Sequence, residues 1–252
     1  MLIEKIQHPY GNFRSLFLKN IKKALQSIIK FAASFFCKFD SHDKIIISSA
    51  THAPWLRDLE FINYFKIVKE YTLLDEPRAY TLWQFAKNLD SKKGNILDIG
   101  CLLGGAGFLM SKPNKIGSSF LFDTFAGFKK NDGLHKKSTF FFSDINFVKK
   151  NIKSLKLKNT SVHKAYFPKN LNIKIGKIKL CHLDINTYKE TKKVFKYLEN
   201  KLIKGGVVVF DDFGIWGADG IKKFIYEIYP RYKNNYFFIK NYMGQCILTK
   251  KY

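Results

Sequence analysis

Two hydrophobic periods alternate along most of this chain. Compact apolar runs occupy residues 95–100, 118–123, 161–166, 177–185 and 206–212, and each predicts a strand. Between and before them, apolar residues recur three and four apart. That spacing predicts helices over 59–71, 76–89, 144–155, 189–202 and 218–229. Strands alternating with helices imply a parallel sheet covered on both faces. Lys204-Gly205-Gly206 is expected to stop the helix before Val207-Val208-Val209-Phe210, which reads as a fully buried strand. Near the end, Tyr236–Lys240 and Gln245–Leu248 flank Asn241-Tyr242-Met243-Gly244, a hairpin signal. There are no internal repeats and no linker dividing two catalytic domains, so one large domain over 59–252 follows an extension over 1–58.

The extension carries its own pattern. Leu18, Ile21, Leu25, Ile28, Ile29 and Ala32 repeat at helical spacing, while Lys19, Lys22, Lys23 and Lys30 interrupt the apolar run. This predicts a basic amphipathic helix. No stretch of about 18 uncharged apolar residues occurs, so a membrane span is not expected, and no signal-peptide cleavage pattern is present. The apolar face is expected to pack on protein, within or between subunits of a homo-oligomer, in preference to lying on a membrane surface.

Charge changes this picture less than its size suggests. Among 252 residues, 44 are basic and 20 acidic, giving a formal net charge of +24. An anionic partner is one reading. However, the excess is almost all lysine, spread along the chain amid many Ile, Asn and Phe, which fits an AT-rich genome equally well. Nucleic-acid binders more often concentrate Arg, which is scarce here, so no nucleic-acid partner is expected. Apolar residues reach 46%, enough for a sizeable core. Cys37, Cys101, Cys181 and Cys246 form no Cys-x-x-Cys pair. They point to a reducing, cytoplasmic setting with neither a zinc site nor a redox site.

The chemistry starts at Asn95. An apolar strand runs into Asp98-Ile99-Gly100-Cys101-Leu102-Leu103-Gly104, and the next strand ends in Asp123. Glycines at Gly100 and Gly104 permit a tight turn and close approach of a ligand. A carboxylate at the tip of the second strand suits a ribose diol. The dinucleotide fingerprint is Gly-x-Gly-x-x-Gly, and Leu102 replaces its middle glycine. Asp98 would repel a pyrophosphate but attract an amino-acid ammonium. S-adenosylmethionine (SAM) has that ammonium, a ribose and no phosphate.

A second acidic group lies at later strand ends: Asp184, then Asp211 and Asp212. Adjacent strands stand about 4.8 Å apart, so these carboxylates should converge. Crowded carboxylates repel unless a cation joins them, and a Mg²⁺-type ion suits an all-oxygen set. The plainer reading makes Asp211 a helix cap and Asp212 a turn former. His182 shares a face with Asp184 and is a backup base. His163 is expected near the adenine edge. His135 sits in a lysine-rich loop, Lys129 to Lys137, suited to closing over an anionic substrate.

Together these residues resemble the macrocin O-methyltransferase family over roughly 61–229. The likeness includes Glu70-Tyr71-Thr72-Leu73, Glu76-Pro77-Arg78-Ala79-Tyr80, the Asp98–Gly105 turn (where the family usually starts with Glu) and Phe122-Asp123-Thr124-Phe125-Ala126-Gly127-Phe128. Leu183-Asp184 through Tyr188 with Thr191, then Gly205-Gly206 and Asp211-Asp212, complete it. Many relatives have a second Asp where this chain has Asn186. The resemblance implies a Rossmann-like class I methyltransferase: a seven-stranded, mostly parallel sheet with a terminal antiparallel hairpin. It implies SAM at Thr72, Asp98, Gly100, Gly104, Asp123, Thr124 and Phe125. It also implies Mg²⁺ or a similar ion at Asp184, Asp211 and Asp212; the catalytic candidates are Asp184, as metal ligand and base, and His182 as backup base. The acceptor is then a sugar hydroxyl. The Lys, Ile and Asn bias points to an AT-rich bacterium that decorates surface glycans. The specific expectation is therefore a nucleotide-activated sugar such as a GDP-linked heptose for capsule or lipooligosaccharide. The rivals are a nucleic-acid methyltransferase and a non-catalytic SAM-binding module.

Overall fold

The computed structural model describes residues 12–35, 52–127, 144–215 and 218–252. The chain forms two compact units, residues 1–53 and 54–252. In the first, α1 (Asn12–Ser34) is a single helix of 23 residues. The second unit holds a seven-stranded sheet and six helices among its described residues.

The strands are β1 (Asn95–Ile99), β2 (Ser119–Asp123), β3 (Thr160–Lys164), β4 (Ile178–Leu183), β5 (Leu202–Phe210), β6 (Tyr236–Lys240) and β7 (Cys246–Lys250). They lie in the order β3-β2-β1-β4-β5-β7-β6. The first five are parallel, and β7 pairs antiparallel with both β5 and β6. The expected terminal hairpin is therefore present. The strand order reverses between β1 and β4. An open α/β sheet splays its loops apart at such a point, leaving a crevice outside the carboxyl ends of the strands.

The helices are α2 (Leu59–Val68), α3 (Glu76–Asn88), α4 (Gly105–Ser111), α5 (Ile145–Ser154), α6 (Tyr188–Leu198) and α7 (Asp219–Tyr232). Local chemistry sets several of their starts. Asp58 caps α2 by accepting from the Phe61 N–H at 3.0 Å, and its other oxygen accepts from Trp83 Nε1 at 3.0 Å. Asp75 caps α3 through the Arg78 N–H at 2.9 Å. Two apolar cores cover the two faces of the sheet. One gathers Phe61, Leu82, Trp83, Phe108 and Val148 over Ile96, Leu180 and Val209. The other gathers Val194, Phe195, Ile221 and Phe224 over Leu97, Cys181, Val208 and Phe210.

Two expected boundaries were misplaced. The helix over 189–202 stops at Leu198, and Lys204-Gly205-Gly206 lies inside β5 instead of before it. Leu202 pairs with Ile178, but Val207 pairs with Leu180, so the glycines form a bulge that absorbs the extra residues. Gly205 adopts φ +70°, which a glycine takes without strain. At the other end, α7 continues past residue 229 to Tyr232 despite Pro230. Cys101, Cys181 and Cys246 are free and buried, and Cys37 falls outside the described residues.

Lys179 locks the edge of the sheet opposite the crevice. It lies on β4, fully buried. Its Nζ donates to Ile116 O at 2.8 Å, Lys92 O at 3.2 Å and Asp90 O at 3.4 Å. Burial pulls its pKa below the ordinary lysine value. The side chain thus ties the loops before β1 and β2 to the middle of the sheet. Lys179→Ala leaves three carbonyls and a void, and should cost about 2–4 kcal/mol. Urea unfolding followed by circular dichroism measures this. A loss below about 0.5 kcal/mol, the range of an ordinary surface change, would show that the loops hold without it.

Candidate active site

A cavity of about 880 Å³ opens at the carboxyl ends of the strands, where the topology places the crevice. Gly100, Asp123, Asp184 and Asp211, which follow or end β1, β2, β4 and β5, all line it. Tyr71, Thr72, Tyr166 and Phe167 add wall from neighbouring segments.

Asp123 organises one side. Its Oδ2 accepts from the Leu102 N–H at 2.8 Å and its Oδ1 from the Phe125 N–H at 2.8 Å. One carboxylate therefore pins the glycine-rich turn to the turn after β2. A carboxylate offers about four acceptor positions, so capacity remains for a ligand's hydroxyls. Burial pushes its pKa up, against the pull of the two N–H donors. Gly100 has φ +92°, and a Cβ there would stand 1.9 Å from Asp184 O. The exit of β4 passing against it is enough to require the glycine. Gly104 begins α4 at φ +93°, where a Cβ would press the Phe108 ring at 2.6 Å.

The other side is a buried relay of charges. Asp98 on β1 is paired in register with His182 on β4, and His182 with Val209 on β5. Side chains two apart share a face, which puts Asp211 on the side of His182 and Asp98. His182 Nδ1 lies 2.8 Å from Asp98 Oδ1, and its Nε2 lies 3.7 Å from Asp211 Oδ1. The second distance is too long for a hydrogen bond. Arg78, in the first turn of α3, reaches over from the helix. Its Nη1 donates to Asp211 Oδ2 at 2.6 Å and Asp212 Oδ1 at 3.4 Å. Gln245 Nε2 donates to Asp211 Oδ1 at 2.8 Å.

These contacts sort the acids. Burial would raise Asp211, but His182, Arg78 and Gln245 outweigh it and hold its pKa below the ordinary value. Asp184 lacks such support. Burial, then the neighbouring Asp211 and Asp212 carboxylates, push it well above the ordinary range. Asp212 is raised by burial and by Asp211, partly offset by Arg78. Burial opposes a charge on His182, yet Asp211 and Asp98 carry its pKa well above the ordinary histidine value. Both carboxylates favour the protonated ring, and its Nδ1 is already engaged with Asp98.

Of the sequence-predicted residues, Thr72, Gly100, Asp123, Thr124, His182, Asp184, Asp211 and Asp212 line the cavity. Asp98, Gly104 and Phe125 do not. Asp98 is buried against His182, so its charge is directed at the imidazole instead of at an exposed ammonium site. His163 packs its ring on Phe122 and Phe120, accompanies Ser161 Oγ at 2.8 Å, and lies away from the cavity. The loop from Lys129 to Lys137, with His135, lies outside the described residues. Sequence reasoning missed Arg78. Its place directly after the Glu76-Pro77 pair that opens a helix was the available signal, since an arginine there projects from the first turn.

Among the described residues, His182, Asp184 and Asp211 bring one ligand atom each within 4.8 Å of one another. Asp98 engages His182 Nδ1, and Arg78 and Gln245 already engage both oxygens of Asp211. Asp184 carries no such partner, and Asn186 Oδ1 is a buried acceptor without a hydrogen bond. Of that set, Asp184 is the oxygen donor of the kind a hard ion such as Mg²⁺ takes, and Asp212 Oδ1 already accepts from Arg78 at 3.4 Å. Asp211 is held back by Arg78.

Comparison with known proteins agrees with the geometry. The family described as Macrocin-O-methyltransferase (TylF) matches residues 70–234, well over half of the chain. No curated protein matches it in sequence. Among solved structures, the O-methyltransferase NovP superposes with a TM-score of 0.63 at 17% identity, covering 72% of this chain and 83% of that one. CalS11, a calicheamicin methyltransferase, gives 0.55 at 14% identity, covering 84% and 99%. A proposed methyltransferase from Streptococcus mutans, solved with SAH, gives 0.51 at 12% identity, covering 71% and 99%. At these identities the structures speak for the fold, which is Rossmann-like and of the methyltransferase type. With the family match spanning both the glycine-rich turn and the acid cluster, the chain belongs to the macrocin O-methyltransferase family and is a SAM-dependent O-methyltransferase.

Proposed function

We propose that this enzyme methylates a hydroxyl of a sugar carried on a nucleotide diphosphate. One observation carries the reading: a single cavity joins the Asp123 clamp to the unpaired carboxylate of Asp184. A cofactor ribose held at the first would direct its sulfonium toward the second. SAM supplies an electrophilic methyl group. The acceptor oxygen forms a bond to that carbon as the carbon–sulfur bond breaks, and sulfur keeps the electron pair. The hydroxyl proton must leave, and Asp184 is the group assigned to take it. Burial and the neighbouring carboxylates favour its neutral form, so it acts as a base only where a bound cation would hold it ionised, and in that form it is a stronger proton acceptor than an ordinary carboxylate. Most of the acceleration comes from holding the two reactants in line.

Arg78 keeps Asp211 ionised and fixed, so the cluster retains its shape while Asp184 works. We assign a Mg²⁺-type ion to Asp184 and Asp212, where it would lower the pKa of an acceptor hydroxyl. Asn186 stands where many relatives have a second acid, so this chain offers one carboxylate fewer. The lysine excess of the whole chain suits a diphosphate-bearing acceptor, and a GDP-linked heptose for a surface glycan is the acceptor we put first.

Incubation of the enzyme and SAM with a panel of nucleotide sugars, read by mass spectrometry, should give one product heavier by a methyl replacing a hydrogen. Equal reaction of free sugars or finished polysaccharide would remove the nucleotide from the account. Reaction with none would leave the acceptor outside this class.

Asp123→Ala should weaken SAM binding about ten- to a hundredfold, since charged hydrogen bonds contribute about 1.5–3 kcal/mol each. The wild-type affinity should be complete above the raised Asp123 pKa and fall as pH drops through it, because protonation removes the accepting charge. Calorimetry on folded protein checks both. Unchanged affinity in the variant places the ribose elsewhere.

Exhaustive chelation should lower turnover at least about tenfold, the scale of one Lewis-acid contribution, and Mg²⁺ should restore it. Asp184→Asn should lose turnover while keeping SAM affinity. Full activity after chelation would leave Arg78 as the cluster's own cation and Asp184 as an unaided base.

A further inference from the structure

The helix of the first unit remains unexplained by methyl transfer. α1 has no acidic residue in its first turn, and none in any of its 23 residues. At ~100° per residue, Phe17, Ile21, Leu25, Ile28, Ile29 and Phe31 fall on less than half of its circumference. All six are exposed, from 41% for Ile21 to 69% for Phe31. The opposite arc carries Lys22, Lys23, Gln26, Ser27 and Lys30. No helix among the described residues is long and apolar enough to cross a membrane.

Each feature restricts the occupant of the apolar face. A helix packing on protein has no need for a polar arc of uniform positive sign, and acids usually mix with the lysines there. A nucleic acid would take the lysines and leave the apolar residues in water. A bilayer with anionic headgroups meets both arcs at once. The apolar side chains sink to the boundary of the acyl chains, and the lysines stay at headgroup depth with their stems laid along the interface. At ~1.5 Å per residue the helix offers a strip about 35 Å long. We propose that α1 is an in-plane anchor that seats the enzyme on an anionic membrane surface. This inference is independent of the acceptor's identity. It is preferred to the packing expected of the sequence because the apolar face is exposed and every charged residue of the polar arc is basic.

The full-length protein can be tested by co-sedimentation with vesicles of phosphatidylcholine alone and of phosphatidylcholine mixed equally with phosphatidylglycerol. Strong partition to the mixed vesicles and little to the neutral ones is expected. Lys22→Gln/Lys23→Gln/Lys30→Gln should weaken that partition by about two orders of magnitude, as should raised salt. Ile21→Asn/Leu25→Asn/Ile28→Asn should weaken it comparably, with SAM affinity in solution unchanged as the control for folding. If the apolar variant still binds mixed vesicles fully, the attraction is general to a lysine-rich chain and the anchor is wrong. If the wild type ignores all vesicles, or sediments as a dimer that the apolar variant splits, the face is a protein interface and the proposal falls.

Discussion

The active site rests on a run of alternating charges that crosses the sheet: Asp98 on β1, His182 on β4, Asp211 at the end of β5, and Arg78 on α3. Such a run is costly to assemble because each member leaves water. It persists because each charge has an opposite neighbour, and removal of any member would leave another buried and uncompensated. The consequence is geometric. Three strand ends and a helix start are held at fixed separations, and among the described residues of the cluster the carboxylate left without a hydrogen-bonded partner is Asp184. The proposed proton acceptor is thus defined by what surrounds it: its neighbours have cationic partners there, and it has none.

The same constraint explains why the glycine at Gly100 matters. The backbone leaving β4 passes so close to the end of β1 that no Cβ fits between them. That contact sets the height of Asp184 above the sheet. On the far side of the cavity, Asp123 bridges two turns with its two oxygens. One turn comes from the end of β1 and the other from the end of β2. The cofactor side and the acid side therefore share the β1 turn as a common wall, and displacement of one should be felt by the other. Lys179 secures the opposite edge of the same sheet.

Much of this was legible in the residue pattern, for physical reasons. Buried parallel strands must be apolar throughout, so the core of each strand was plain. Strand-end acids are conspicuous because they follow such runs directly. The bulge at Gly205-Gly206 was misread because glycine after a helical stretch signals a helix end just as well as a strand irregularity. The partner of Asp98 was not foreseen because periodicity places a residue on a strand but not its partner, and His182 lies 84 positions away. Arg78 was missed for a related reason, since its contact with Asp211 spans 133 positions and leaves no local trace. Long-range charge pairing is a property of the assembled sheet.

These observations make the central claim spatial: the cofactor's reacting end must meet Asp184 inside one cavity. A crystal structure of the protein with SAH tests that directly. The account predicts the ribose hydroxyls on Asp123, the sulfur turned toward Asp184, and Arg78 still seated on Asp211. A ribose bound away from Asp123, or a sulfur facing away from the acid cluster, would contradict it.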